Sequence, residues 1–277
     1  KALDLGYTYI DTAALYGFGA NETLVGRAIG DRRREFTLAS KGGMFRNAQG
    51  QREIDGRPEV IKRTCEDSLQ RLRTDVIDVY YLHRWDKRLA IEESVGALAD
   101  LVSEGKVRTI GLSGVSAATI RKAHRVHPVT AVQTEYSLWT RNAEVAVLDT
   151  CRELGITFVA FSPMARGFLA GGLRDTSRLP PKDIRLAMPR FQGEHFAKNL
   201  AWLEALEPIA RERRCTLAQL ALAWVLAQRH DIIPIPGTTR IDHLVENFKA
   251  MDVRLVAATL QAHAAVVNPL PVSGPRY

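Results

Sequence analysis

Short β-rich runs alternate with amphipathic helical segments almost from one end of this chain to the other, and that alternation sets its fold class. Strands are expected at residues 7–11, 36–41, 77–83, 109–113, 131–135, 157–161 and 232–236. Most are near-continuously apolar, as parallel strands covered on both faces are. Between them lie periodic helices. Over residues 58–73, Ile61, Cys65, Leu69 and Leu72 mark one face, and Pro58 suits a first turn. Over residues 91–104, Ile91, Val95, Leu98 and Val102 do the same, with Gly105 as a C-terminal stop. Regular βα alternation implies a parallel sheet with right-handed crossovers.

An open doubly wound sheet and a closed barrel both satisfy that pattern. Polar and titratable residues end several different strands instead of gathering at one switch point, which favours an α/β protein of the (β/α)8 TIM-barrel type. A length of 277 residues fits one such domain, residues 1–277, since these barrels run to about 250 residues. Seven strands are found where a barrel needs eight. The opening Lys1-Ala2-Leu3-Asp4-Leu5-Gly6 reads as the tail of a helix, so the first strand is expected to be missing from the chain. Residues 163–197, rich in Gly, Pro, Arg and Asp, show no period; they read as a long loop over the active face.

Composition narrows the function classes. No apolar run approaches the roughly 20 residues that span a bilayer. The net charge is +7, but it is dispersed, and the dense run Asp31-Arg32-Arg33-Arg34-Glu35 carries its own acids. Without a basic stripe and aromatic platforms, nucleic acid is not the expected partner. An anionic small molecule such as a phosphorylated cofactor uses the sign better. Cys65, Cys151 and Cys215 are far apart and lack CxxC spacing, as reduced thiols of a cytoplasmic protein would. No metal site is expected: His124 and His127 have no carboxylate motif beside them.

Asp11, Tyr16, Lys41 and His83 carry the chemistry. Three of them end apolar runs (YTYID, FTLASK, VIDVYYLH), and Tyr16 follows just beyond the first. Titratable groups at the ends of buried strands are costly unless paired or used. A free phenol titrates near pH 10, and an adjacent ammonium favours its ionised form. Lys41 would supply that ammonium, Asp11 would hold it, and His83 would hydrogen-bond a carbonyl oxygen. Such a set suits protonation of a developing alkoxide. Taken singly, each has a plainer reading: a helix cap, a packing ring, a loop cation. Trp139, Trp202 and Trp224 fall in helical stripes and are expected in the core, whereas Trp85, just after His83-Arg84, is expected to wall a substrate pocket. The segment Gly17-Phe18-Gly19-Ala20-Asn21-Glu22 lacks the third glycine of a dinucleotide-binding turn.

The ordered motifs IDTAALYG, NETLVGRAI, LASK, YYLHR, GKVRTIGLS, QTEYSLW, FSPMARGFL, PRFQGEHF and IPIPGTTR resemble those of the aldo-keto reductases over the whole length. The resemblance implies a TIM barrel that binds NADP(H) in extended form. It implies a catalytic tetrad of Asp11, Tyr16, Lys41 and His83. By the same resemblance, Ser113 and Gln133 would hydrogen-bond the nicotinamide carboxamide and Phe161 would stack on the ring. Ser162, Met164, Arg166 and Gly167 would line the pyrophosphate channel. Gly237, Thr238, Arg240, Glu246 and Asn247 would hold the adenosine end, with Arg240 on the 2′-phosphate. Thr239 stands where lysine is frequent in the family. The implied activity is NADPH-dependent reduction of a small aldehyde or ketone. Two rivals use the same residues: a non-catalytic NADP(H)-binding redox sensor, and a lyase with Lys41 as a Schiff base.

Overall fold

The structure is a computed structural model that describes residues 1–47, 49–256, 260–261, 264–265 and 271–275. These residues group into two compact units, Lys1–Thr134 with Ala143–Val159, and Glu135–Asn142 with Ala160–Tyr277.

The first unit is built of βα repeats. In chain order it holds α1 (Ala2–Leu5), β1 (Tyr9–Asp11), α2 (Ala20–Ile29), β2 (Thr37–Gly42), β3 (Met44–Arg46), β4 (Arg52–Ile54), α3 (Pro58–Leu72), β5 (Ile77–Leu82), α4 (Ile91–Ser103), β6 (Val107–Ser113), α5 (Ala117–Val126), β7 (Val129–Glu135), α6 (Val147–Glu153) and the start of β8 (Thr157–Phe161). β1, β2, β5, β6 and β7 are neighbours in that order, and every pairing is parallel. Consecutive strands are adjacent with no reversal, which is the order of a barrel and not of a doubly wound sheet.

The expected strands are present, with shifted ends. β1 is only three residues long, and β6 and β7 each begin two residues earlier than expected. Edges of this kind are set by partners: Val129 pairs with Ile110 across a bulge, which a local apolar count does not register. The antiparallel hairpin β3–β4 was not expected at all. Its two strands are only three residues each and half-buried at most, too short to show an alternation; Asn47 organises it by accepting from the backbone of Gln49 and Gln51.

Helix faces follow the sequence pattern. Val60, Ile61, Cys65 and Leu72 of α3 are buried, as are Ile91, Val95, Leu98 and Leu101 of α4. α3 ends where Arg73 turns left-handed (φ 55°), and α5 begins on Ser116, whose hydroxyl accepts from the Thr119 amide.

The second unit contains α7 (Gly193–Glu212), α8 (Leu217–Gln228), β9 (Ile232–Ile235) and α9 (Ile241–Phe248). The aperiodic stretch resolves into short 3-10 turns at Ala165–Ala170, Thr176–Arg178, Ile184–Ala187 and Pro189–Phe191. It is shorter than the expected 163–197, because α7 already starts at Gly193. Asp175 and Asp183 cap two of the turns with their carboxylates, local chemistry that leaves no periodic trace. Trp139 stacks on Phe168 with centroids 4.4 Å apart, Phe191 meets it edge-on, and the Arg190 guanidinium lies over its ring. Three of the ordered motifs therefore meet as packing. Trp202 and Trp224 are buried too, so the expected core tryptophans are core.

Candidate active site

Lys41 is the centre of the site. It lies in β2, whose residues Leu38 to Gly42 are all buried, and its side chain is fully enclosed. A buried ammonium needs its protons matched. Here Nζ donates to the Asp11 carboxylate, to the Thr12 carbonyl at 2.8 Å and to the Tyr16 hydroxyl at 3.2 Å. The strand pairing explains the meeting: Asp11 ends β1 opposite Ala39, and Lys41 stands two residues further along β2.

Tyr16 reaches the lysine from a 3-10 turn, Tyr16–Gly19, in which Gly17, Phe18 and Gly19 all have positive φ. Glycine adopts that conformation freely, and Phe18 is held in it with the Arg46 guanidinium over its ring. The tyrosine stays 39% exposed, so its hydroxyl joins the buried lysine to the surface.

His83 follows β5, anchored by its amide to the Gly42 carbonyl. Its ring meets that of Tyr16 edge-on, with centroids 5.9 Å apart. Burial, with smaller contributions from Lys41 and Arg84, lowers its pKa from 6.5 to about 3, so the imidazole is neutral near pH 7. Its Nδ1 is buried without a hydrogen-bond partner. A neutral ring with an unmatched buried nitrogen is suited to a ligand oxygen or proton.

The four residues read from the sequence as one set are thus brought together. Two more join them. Gln133, in β7, donates from Nε2 to the other Asp11 oxygen at 2.8 Å. Ser113 is the register partner of Gln133 and is equally buried. Trp85 is partly buried and its indole N–H donates to the Leu89 carbonyl.

The second unit carries the remaining expected positions. Phe161 ends β8 and is half-buried. Ser162, Ala165, Arg166 and Gly167 have φ between 49° and 87°, and the Ala165 and Gly167 amides donate to the Ser162 and Met164 carbonyls within the turn. Met164 lies within that run. Gly237 and Thr238 precede α9, and the Thr238 hydroxyl accepts from the Arg240 amide. The Arg240 guanidinium is bonded through two nitrogens to Asp242. Glu246 is half-buried, its carbonyl accepting from Gln219, and Asn247 is buried.

Reading the sequence missed several supporting residues. Thr12 offers its carbonyl to Lys41 and its hydroxyl to Asn21, and Glu22, fully buried, binds Ser40 beside Lys41. The only signal for Asn21 and Glu22 is their place in NETLVGRAI, which assigns them no chemistry.

A strand-end set of carboxylate, ammonium, phenol and imidazole on a βα-repeat sheet defines a barrel oxidoreductase. The chain belongs to the aldo/keto reductase family, whose model matches residues 1–268. It is an NADP(H)-dependent oxidoreductase with the TIM-barrel fold of that family. It is 46% identical over 277 residues to a probable aldo-keto reductase of Glycine max, covering all of this chain and 80% of that protein. A glycerol dehydrogenase of Gluconobacter oxydans matches with a TM-score of 0.91 at 29% identity, over 99% of this chain and 85% of that one. An aldo/keto reductase of Klebsiella pneumoniae, solved with NADP and acetate, matches with a TM-score of 0.72 at 29% identity, over 99% and 85%. Among the described residues no helix is long and apolar enough to cross a membrane.

Proposed function

We propose that this protein reduces a small aldehyde or ketone to the alcohol, with Tyr16 as the proton donor. The contact that carries this reading is the 3.2 Å hydrogen bond from Lys41 Nζ to the Tyr16 hydroxyl.

When bound, NADPH supplies the hydride. The donor set fits it: Ser113 and Gln133 stand side by side at the strand ends for the carboxamide. Phe161, at the end of β8, would stack on the nicotinamide. The turn after β8, with Ser162, Met164, Arg166 and Gly167, would take the pyrophosphate, and Gly237, Thr238, Arg240, Glu246 and Asn247 would take the adenosine end. Arg240 would take the 2′-phosphate, for which a guanidinium is matched in charge and shape.

Neutral His83 donates a hydrogen bond to the substrate carbonyl oxygen and so fixes its direction. As negative charge builds on that oxygen, the Tyr16 O–H transfers its proton to it. The phenolate left behind keeps the hydrogen bond from Lys41, whose charge Asp11 balances. In the direction of alcohol oxidation the same atoms run in reverse. Trp85, two residues past His83, would form part of the substrate pocket. Lys41 is unsuited to Schiff-base chemistry, since its amine donates to Asp11, Thr12 and Tyr16 at once. The buried thiols of Cys65 and Cys151 suit a cytoplasmic setting.

Tyr16→Phe tests the reading. Reduction of a generic aldehyde should fall by about 10²-fold or more, while NADPH binding, followed by fluorescence, stays at the wild-type level. Unchanged turnover would remove Tyr16 from the mechanism.

A further inference from the structure

Arg84 directly follows His83, and its Nη1 donates to two oxygens at once: the His83 carbonyl at 2.9 Å and Ser113 Oγ at 2.9 Å. The guanidinium thereby ties the end of β5 to the end of β6, two neighbouring parallel strands. Gly114 leaves room for it, since a Cβ there would stand 3.2 Å from the same nitrogen. A guanidinium has five donors and no acceptor. In this bond the serine oxygen therefore accepts, and the single hydroxyl proton of Ser113 is left to be donated elsewhere.

Gln133, beside Ser113, is polarised in the opposite sense. Its Nε2 donates to Asp11 Oδ2 at 2.8 Å. An ionised carboxylate only accepts, so the amide nitrogen faces Asp11 and Oε1 is the end that meets a ligand. One neighbour presents a donor and the other an acceptor, each set by a charged group behind it. A primary carboxamide, with one carbonyl oxygen and one NH2, matches that pair in a single orientation.

We propose that Arg84 is a positioning residue of the cofactor site: it makes Ser113 a hydrogen-bond donor and so dictates which end of the nicotinamide carboxamide Ser113 receives. The proposal rests on the reading above that Ser113 and Gln133 hold that carboxamide. Without Arg84 the serine hydroxyl accepts as readily as it donates, and Gln133 alone is left to set the flip of the carboxamide.

Tryptophan-fluorescence titrations with NADP⁺ and with its 3-acetylpyridine analogue test this; the analogue keeps the carbonyl oxygen and replaces NH2 by methyl. Arg84→Leu should weaken NADP⁺ binding about tenfold, and so should Arg84→Gln, whose oxygen competes for the serine proton. Arg84→Gln carries the test if Arg84→Leu fails to fold. Arg84→Lys, also a donor only, should stay within about threefold of wild type. The Arg84→Leu loss should be the same for the analogue. Added to Ser113→Ala it should cost no more than about twofold further. A loss that vanishes with the analogue, or that adds in full to Ser113→Ala, overturns the proposal. If Ser113→Ala weakens binding and neither Arg84→Leu nor Arg84→Gln does, the role of Arg84 alone is refuted. If Ser113→Ala binds NADP⁺ as wild type does, the assignment of Ser113 to the cofactor fails first and the role of Arg84 goes with it.

Discussion

Glu22 and Arg71 form an ion pair in which the carboxylate is wholly buried, with Arg71 Nε at 2.7 Å from one oxygen and Ser40 Oγ donating to the other. One side chain of α2 thus ties the end of α3 to the residue beside Lys41. Removing one partner of a buried pair strands the other. Glu22→Ala should therefore lower stability by about 3 kcal/mol, read as a drop in the urea midpoint. An unchanged midpoint would show that the pair adds nothing net to the fold.

Lys41→Met keeps the length of the side chain and removes its charge. Asp11 would retain Gln133 but lose its cation, and Tyr16 would lose its donor. Steady-state kinetics should show kcat reduced by about 10²-fold or more, with NADPH binding changed far less than turnover. A variant with wild-type kcat would mean that the ammonium plays no part in proton transfer.

His83 makes stability depend on pH in a defined direction. Its folded pKa is about 3 against 6.5 for the free group, so between those values the unfolded chain binds a proton that the folded chain refuses. Stability then rises with pH from about 3 to 6.5, by up to about 1.4 kcal/mol per unit from this residue, and is level above. Denaturation midpoints of wild type and His83→Gln across pH 4–7 should converge as the pH falls, because the variant lacks this term. Parallel curves would contradict the buried neutral imidazole. Because the ring is already neutral, His83 should also give the rate profile no limb between about pH 5 and 8.

Gly111 and Gly96 make opposite predictions. A Cβ on Gly111, in β6, would fall 2.4 Å from two Tyr81 ring carbons and 3.0 Å from the Ala131 carbonyl, a backbone atom that cannot step aside. Gly111→Ala should cost about 1–3 kcal/mol. Gly96 lies inside α4 with nothing within 4 Å of its missing Cβ, so Gly96→Ala should add about 0.5–1 kcal/mol. Thermal unfolding of the two variants decides both, and equal shifts in the same direction would refute the packing argument.

Much of the architecture was legible because it is periodic. Every expected strand was found, and the buried stripes of α3 and α4 fall within one or two positions of those read from spacing. What escaped was aperiodic: the short hairpin β3–β4, and the capped turns before α7, which depend on single Asn and Asp side chains bonding their own backbone. In the site, Asp11, Lys41 and His83 stood out as polar residues at the ends of apolar runs, and Tyr16 as a phenol just beyond the first. Gln133 was visible only as part of a family motif, and its bond to Asp11 spans 122 positions of chain.

The amino-acid order by itself determined the βα alternation, the strand-end placement of the titratable groups and the membership of a reductase family. These are properties of local spacing and side-chain type. Tertiary structure decided which polar groups meet. Lys41 finds the Thr12 carbonyl, Ser113 finds Arg84, and Ser40 finds Glu22 because parallel pairing sets neighbouring strand ends level, and burial then requires each polar group there to take a partner from another element.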